Sequence, residues 1–253
     1  IIVNYENLLH QIKSLIFETE KQSQTKLKSL NLNFSLLNSI SKYYESQIET
    51  NNEKITELHL KKIINQSEYF NNSEDQFELY NNIVSYNLDN KQFFTAPIGN
   101  YSDYIKISFY KILIKRKYID NFSNIIKNLK LDIENYIPSP LSSSLSSLTR
   151  DEKELGTICL NLGHSTSSIS IFENNKFIYA DTIGIGSHNV TLDIARGVST
   201  TISSAERLKT LYGSLISSPS DDHEIIEIPV ASGENNNFKQ ITRSNLNAII
   251  KPR

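Results

Sequence analysis

The chain has no methionine, no tryptophan and a single cysteine, Cys159, among its 253 residues. One cysteine excludes a disulfide framework and a cysteine-rich zinc site. Because a complete reading frame begins with methionine, a chain that begins with Ile1 and contains none is predicted to be a piece of a longer protein. Glycine and proline are scarce, at 8 and 6 residues, and the bias toward Asn, Ile, Lys and Ser indicates compositional drift that blurs motifs.

The chain also has no large excess of positive or negative charge. The 26 basic and 28 acidic side chains leave a net charge of −2, which argues against a protein that gains affinity by neutralising phosphates of a nucleic acid. No apolar run reaches about 18 residues, so the sequence predicts no membrane-spanning segment. The length suffices for two ordinary domains.

Apolar periodicity divides the first part of the chain. The stripe from Tyr5 to Thr19 predicts an amphipathic helix, and alternation from Leu30 to Leu36 predicts a half-buried strand. The stretch from Ser39 to Asn90 is the least readable, with a helix predicted near Glu53–Asn65 and a short strand near Asn82–Leu88.

The next segments are clearer. YIKISFYKILI, residues 104–114, predicts a long strand, and residues 119–129 predict a helix closed by basic residues. A second helix is predicted over Leu141–Leu148. The pair Asn71-Asn72 is predicted to be a turn.

From Thr157 onward the pattern is that of a hairpin meander followed by helices. Cys159 alternates into the first strand and is predicted to be a small buried hydrophobe. The predicted elements are strands at 157–161, 168–172 and 177–185, a turn at 163–166, and helices around 190–198 and 203–212, the last ended by Gly213.

Several polar clusters are assigned no chemistry. Asp221, Asp222, His223 and Glu224 are metal-ligand types, but adjacent side chains point in different directions, so a solvated loop is predicted instead. No nucleophile, base and carboxylate stand at a recognisable spacing, so no catalytic residue and no metal ligand are predicted.

Hairpins, a small-residue turn and then helices follow the order of a ribonuclease-H-like half of the actin fold. From Ser139 to Arg253 the chain resembles the FtsA family, the bacterial actin-like division proteins. The matching runs are SPLSSSLSSLTRDEKELG, NLGHSTSSISIF, GSHNVTLDIARGVST, SSAERLKTLYG, SDDHEIIEIP and IIKPR.

The resemblance implies an α/β, actin-like ATPase (ribonuclease-H-like) fold with an inserted SHS2-type subdomain, incomplete at both ends. It divides the chain into residues 1–38 and 116–155 of subdomain 1A, the inserted subdomain 1C at 39–115, and part of subdomain 2A at 156–253.

The resemblance also implies ATP with magnesium, held at a phosphate turn that matches the family pattern Asp-x-Gly-Gly-Gly-Thr. Gly163 and Thr166 fit this pattern. Asn161, His164 and Ser165 depart from it, because Asn161 is neutral where an anion faces the metal and the other two replace glycines that permit close approach or positive φ.

Further candidates for nucleotide contact are Gly186, Ser187 and Thr191, which flank the N-terminus of a helix, and Glu206 and Lys209 on one helix face. A second interpretation of Glu206 stays open, because Ser203 to Glu206 also fits a capping box in which this carboxylate contacts only backbone.

The family role implied is a cytoplasmic scaffold at the inner face of the membrane, tethering FtsZ and polymerising with nucleotide. The resemblance assigns self-association and later division proteins to the inserted subdomain. It assigns FtsZ to a C-terminal subdomain and the membrane to a C-terminal helix, both outside these residues. Because the family's cleft needs two phosphate turns, we expect this chain alone to bind ATP weakly or not at all, and not to bind membranes.

Two alternatives remain. An actin-fold small-molecule kinase needs an aspartate in the phosphate turn, so Asn161 and the insertion argue against it. A PilM-like pilus-assembly scaffold shares the insertion.

Overall fold

The computed structural model describes residues 4–69, 75–229 and 238–253. The chain forms two compact units, Ile1–Asn161 with Ser168–Thr182, and Leu162–Ser167 with Ile183–Arg253. Among the described residues, no helix combines the length and apolar character required to cross a membrane.

The first unit begins with the two predicted elements. Helix α1 (Tyr5–Ser23) is capped by Asn4, whose side-chain oxygen accepts a hydrogen bond from Asn7 N at 2.9 Å, and none of its residues is buried. Strand β1 (Ser29–Phe34) confirms the alternation, and Leu36, just beyond the strand, is buried as well.

A four-stranded antiparallel sheet with one helix follows. Its elements are β2 (Ile40–Lys54), α2 (Glu57–Tyr69), β3 (Gln76–Leu88), β4 (Lys91–Phe93) and β5 (Tyr101–Lys115). The strand order is β2-β5-β3-β4. The long strand predicted at 104–114 is therefore confirmed as β5, and the short strand predicted at 82–88 is the end of β3.

Strand β5 is buried on both faces, which explains its apolar run. Ile105, Ile107 and Phe109 pack in one core with residues of α2, whereas Ile112 and Ile114 pack in a second core on the other face. Alternation of side chains across a strand makes this division unavoidable.

The predictions over the poorly readable stretch are wrong in two respects. Strand β2 was not predicted, because it lies at the sheet edge and most of its side chains are polar and exposed. The helix predicted from Glu53 begins at Glu57, because Glu53 and Lys54 still pair with β5. The turn predicted at Asn71-Asn72 lies outside the described residues.

The chain then returns to β1. Helix α3 (Arg116–Asn128) confirms the stripe at 119–129, and β6 (Asp132–Pro138) pairs in parallel with β1. Helix α4 (Ser139–Ser147) confirms the helix predicted over the serine-rich run. Helix α5 (Arg150–Leu155) carries a complete capping box between Thr149 and Glu152.

The predicted meander is a three-stranded sheet in the order β7-β8-β9, formed by β7 (Thr157–Leu162), β8 (Ser167–Glu173) and β9 (Lys176–Ile183). Phe172, Phe177 and Ala180 join the core that contains Ile112. The prediction that Cys159 is buried is wrong, because its side chain is only partly buried and Ile158 and Leu160 beside it are exposed.

The described residues of the second unit form helices and an antiparallel strand pair, besides the turn at 162–167. The unit contains α6 (Ser187–Gly197), α7 (Ile202–Tyr212), a 3₁₀ turn (Pro219–Asp222), β10 (Ile225–Pro229), β11 (Phe238–Thr242) and α8 (Arg243–Ile250). Its core is formed by Ile194, Val198, Ala205, Leu208, Ile226, Ile228, Leu246 and Ile250.

The solvated loop predicted before β10 is wrong for Asp221. This side chain is buried and accepts hydrogen bonds from Ser218 N at 3.0 Å and Asn247 Nδ2 at 3.1 Å. The carboxylate therefore holds the 3₁₀ turn on α8, which is the way a buried charge is normally satisfied.

Candidate functional site

The turn between β7 and β8 is closed by one backbone hydrogen bond. Gly163 N donates to Thr166 O at 2.9 Å, and a Cβ at Gly163 would lie only 2.8 Å from that oxygen. His164 and Ser165 are exposed at the tip, and neither has positive φ. The backbone of the turn thus does not need glycine at these two positions.

The start of α6 packs directly on this turn. Ser187 N donates to Gly163 O at 2.9 Å, and His188 N donates to His164 O at 2.8 Å. A Cβ at Gly186 would lie 2.6 Å from Gly163 O and even closer to His164 O, so only glycine fits there. Backbone hydrogen bonds therefore join the turn to the first residues of α6.

Three consecutive amides of the turn remain available. Within the described residues, the N–H groups of His164, Ser165 and Thr166 have no protein acceptor. Successive free amides in a turn form a concave donor surface that suits an anion such as phosphate. The turn therefore offers three unengaged backbone donors, which are groups that can bind phosphate oxygens.

A polar network connects α6 to α7. Lys209 Nζ donates to Glu206 Oε2 at 2.8 Å, to Thr191 Oγ1 at 2.9 Å and to Ser187 O at 3.2 Å. Thr191 Oγ1 lies 2.5 Å from Glu206 Oε2. The hydrogen bonds from Lys209 and then Thr191 lower the pKa of Glu206, and the field of His164 acts in the same direction.

This network, together with the cap of α7, tests one of the two interpretations of Glu206, the capping box. Helix α7 is capped by Thr201, whose side chain accepts from Ser204 N at 3.2 Å, so the capping box predicted from Ser203 is wrong. The carboxylate of Glu206 instead contacts Thr191 and Lys209.

The structure brings together most of the predicted candidates. Gly163, His164, Gly186 and Ser187 meet through their backbones, and Ser187 meets Lys209 through a hydrogen bond. Asn161 belongs to the first unit, where its Nδ2 donates to Ser143 Oγ at 3.0 Å.

One residue of this region was passed over in the sequence. The imidazoles of His164 and His188 are in contact, with ring centroids 4.8 Å apart and planes tilted by 35°. Their separation of 24 positions matches no motif. The sequence offers one signal, which is that each histidine lies shortly after a strand and close to a glycine. Only the packing shows that these two segments are in contact.

The described parts of the chain contain no group of three or more His, Cys, Asp or Glu side chains able to hold a metal ion. The donor set at the turn is amides, hydroxyls and imidazoles, and the carboxylate of Glu206 is already engaged. Because Mg²⁺ prefers carboxylate oxygens and water, the residues present do not fit a magnesium ion.

The fold has a counterpart among solved structures. The chain resembles the PilM-PilN type IV pilus biogenesis complex with a TM-score of 0.57 and 13% identity, covering 84% of this chain and 58% of that one. Together with the mixed α/β architecture, this defines an actin-like ATPase fold, as the sequence predicted.

The sequence comparisons find similar cell division proteins. A family model described as cell division protein FtsA matches residues 158–247. The chain is 27% identical to cell division protein FtsA of Agrobacterium fabrum over its whole length, covering 57% of that relative, and 22% identical to that of Pseudomonas aeruginosa, covering 60%. The chain is therefore similar to the FtsA cell division proteins in both comparisons. It spans a little over half the length of these relatives.

Proposed function

We propose that this chain is the nucleotide-contacting portion of an actin-like cell division scaffold that polymerises with nucleotide, tethers FtsZ to the cytoplasmic membrane and helps to recruit later septum proteins. The observation that carries the proposal is the turn at Gly163–Thr166, held against α6 with three free amides. Such a turn suits the phosphates of a nucleotide, and the similarity to cell division protein FtsA supports a role in division.

In this proposal the phosphates lie against Gly163, His164, Ser165 and Thr166, with Gly186 and Ser187 holding the turn. Glu206 and Lys209 are proposed to face the nucleoside. Because both side chains are bonded to each other and to α6, nucleoside contact requires either exchange of these bonds or use of the second carboxylate oxygen of Glu206.

The subdomain division is likewise proposed. Residues 1–38 and 116–155 are assigned to subdomain 1A, 39–115 to the inserted subdomain 1C, and 156–253 to part of subdomain 2A. The assignment of 1C is supported by its own four-stranded sheet and its own core beneath α2. We propose that this insertion contacts like subunits and later division proteins. No residue described here is assigned to FtsZ or to the membrane.

A depletion experiment with the full-length protein tests this role. Cells that lose the protein are expected to form filaments without septa, and a fluorescent fusion is expected to colocalise with FtsZ at the division site, peripheral to the membrane. Normal septation after complete depletion would contradict the proposal. A variant with Gly186→Ala, whose side chain would collide with the turn, is expected not to restore division.

A second candidate is a scaffold of pilus assembly, which the structural likeness to the PilM-PilN complex favours. The same depletion separates the two roles, since loss of surface pili with normal septation would support pilus assembly.

A further inference from the structure

Two imidazoles flank the free amides of the turn. His164 carries the first of these amides and is exposed, and His188 is the second residue of α6. Their ring centroids lie 4.8 Å apart with the planes tilted by 35°, and neither ring has a hydrogen-bond partner among the described residues. Each ring therefore has an N–H free to donate to a ligand that reaches the turn.

Lys209, in contrast, has no proton free to donate to a ligand. All three protons of the Lys209 ammonium are taken by acceptors of the protein, namely Ser187 O, Thr191 Oγ1 and Glu206 Oε2. A phosphate that approaches the turn thus meets amides and imidazoles first.

Among the described residues of the second unit, the side chains around this turn do not suit a magnesium ion. The carboxylate of Glu206 is bonded to Thr191 and Lys209. Imidazole is a poor ligand for Mg²⁺, which requires oxygen donors in an octahedral arrangement.

We propose that this turn recognises the terminal phosphate of a nucleotide without a divalent cation, with the imidazoles of His164 and His188 donating to the phosphate oxygens that a metal would otherwise contact. The proposal rests on the nucleotide site proposed above and specifies its ligand as the metal-free polyphosphate. The three amides supply the cradle, and the histidine pair supplies the additional donors.

The experiment titrates the 253-residue chain with sodium tripolyphosphate, and separately with ATP, while the imidazole Cε1–H signals are followed by proton NMR. One series contains EDTA and the other contains MgCl₂. We expect saturable shifts of both His164 and His188 signals in EDTA, with a dissociation constant in the range of about 1 mM. Magnesium is expected to leave that constant unchanged or to raise it, because the ion neutralises the ligand's charge.

Variants then test the two rings. A hydrogen bond to a charged group is strong, so the double variant His164→Gln and His188→Gln is expected to weaken tripolyphosphate binding about 10-fold. The control is His223→Gln, an exposed histidine of the same unit that lies outside the turn, and it is expected to bind like the parent. Protection of the Ser187 and His188 amides against hydrogen exchange reports that the turn stays intact in each variant.

The inference would be overturned if binding became 10-fold tighter with magnesium, or if the double variant bound as tightly as the parent. The absence of a saturable shift in both series would overturn it as well. Binding abolished by EDTA and restored by ZnCl₂ would also overturn it, since the rings would then hold a metal. Magnesium-dependent binding would leave the nucleotide site standing, whereas normal septation on depletion would contradict the division role without touching this result.

Discussion

Among the described residues, each unit contains a lysine–glutamate pair whose lysine side chain is less than one fifth exposed, and the two pairs differ in what surrounds them. In the four-stranded sheet, Lys111 Nζ lies 2.7 Å from Glu78 Oε2, 3.3 Å from Ser67 O and 4.7 Å from the centre of the Tyr44 ring. In the second unit, Lys209 Nζ lies 2.8 Å from Glu206 Oε2. The lysine side chains are 1% and 18% exposed, and the glutamate side chains 32% and 47%.

The difference separates a structural pair from one at the proposed nucleotide site. Burial pulls the pKa of Lys111 down, but Glu78 and Tyr44 outweigh this effect, so the pKa lies above its ordinary value and the ammonium stays charged. That charge holds the end of α2 on the sheet through Ser67. The pair at Lys209 is more open to water and lies beside free amides, so its bonds can be exchanged at lower cost.

The largest expected effect is the loss of Lys111. Lys111→Met removes the cation that pairs with Glu78 and the ammonium that donates to Ser67 O of α2. The free energy of unfolding is therefore expected to fall by about 3 kcal/mol. Urea denaturation followed by circular dichroism measures this loss.

The matched control is on the same strand. Lys106 Nζ pairs with Glu45 at 3.1 Å at the protein surface, so Lys106→Met is expected to cost about 0.5 kcal/mol or less. Equal losses for the two variants would show that burial does not distinguish the pairs.

The assembly of turn and helix in the second unit is tested by Gly186→Ala. The new Cβ collides with backbone carbonyl oxygens of Gly163 and His164, which cannot turn away as a side chain can. The hydrogen bonds from Ser187 N and His188 N are expected to open, at a cost of about 2 kcal/mol. Hydrogen exchange at these two amides measures the opening.

Gly197→Ala is the control for this substitution. Its Cβ would lie 2.7 Å from Ile249 Cδ1, the flexible end of a side chain, and alanine favours the helix by up to about 1 kcal/mol. We expect a change within about 0.5 kcal/mol. If Gly186→Ala left exchange at Ser187 and His188 unchanged, the turn would not depend on this contact.

A smaller effect is expected at Tyr110, which ties the four-stranded sheet to β9. Its hydroxyl accepts from Ala180 N at 2.7 Å and lies 3.2 Å from Ala180 O, all buried. Tyr110→Phe leaves that buried amide unpaired, so thermal or urea unfolding should show a loss of about 1–2 kcal/mol.

Tyr104→Phe serves as the comparison, because the exposed Tyr104 hydroxyl bonds only to the side chain of Asn90, at 2.8 Å. A loss below about 0.5 kcal/mol is expected there. If the two variants lost the same stability, the hydroxyl of Tyr110 would not be a link inside the first unit.

The sequence predicted the elements whose apolar period is imposed by a core. Strand β5 and helix α3 were found because a buried face forces regular spacing. Strand β2 was missed because an edge strand exposes most of its side chains, and its buried positions in the strand proper include Ser46 and Thr50, which are polar.

Only those parts of the candidate site that depend on neighbouring residues in the sequence could be predicted. Gly163 and Thr166 indicated the turn because a tight hairpin with a close carbonyl needs glycine at that point. The ring contact of His164 with His188 depends on how the turn packs on α6, and the contact of Thr191 with Glu206 depends on how α6 packs on α7. No local pattern encodes that packing. The capping box failed for a related reason, since Thr201 and Ser203 both satisfy the local rule and the structure uses Thr201.

The smallest expected effect sharpens the comparison between the pairs. Glu206→Gln removes the partner of Lys209 where nearly half of the glutamate side chain meets water, so the loss at neutral pH is expected to be about 0.5 kcal/mol or less. Because the hydrogen bonds from Lys209 and Thr191 lower the pKa of Glu206 in the folded state, its contribution is present above the ordinary value of 4.5 and disappears as the pH falls through the lowered pKa. Urea titrations of parent and variant should therefore differ slightly at pH 7 and converge in acid. A loss as large as that of Lys111→Met would show that the second pair is also structural, and nucleoside contact through Glu206 and Lys209 would then cost too much stability to be proposed.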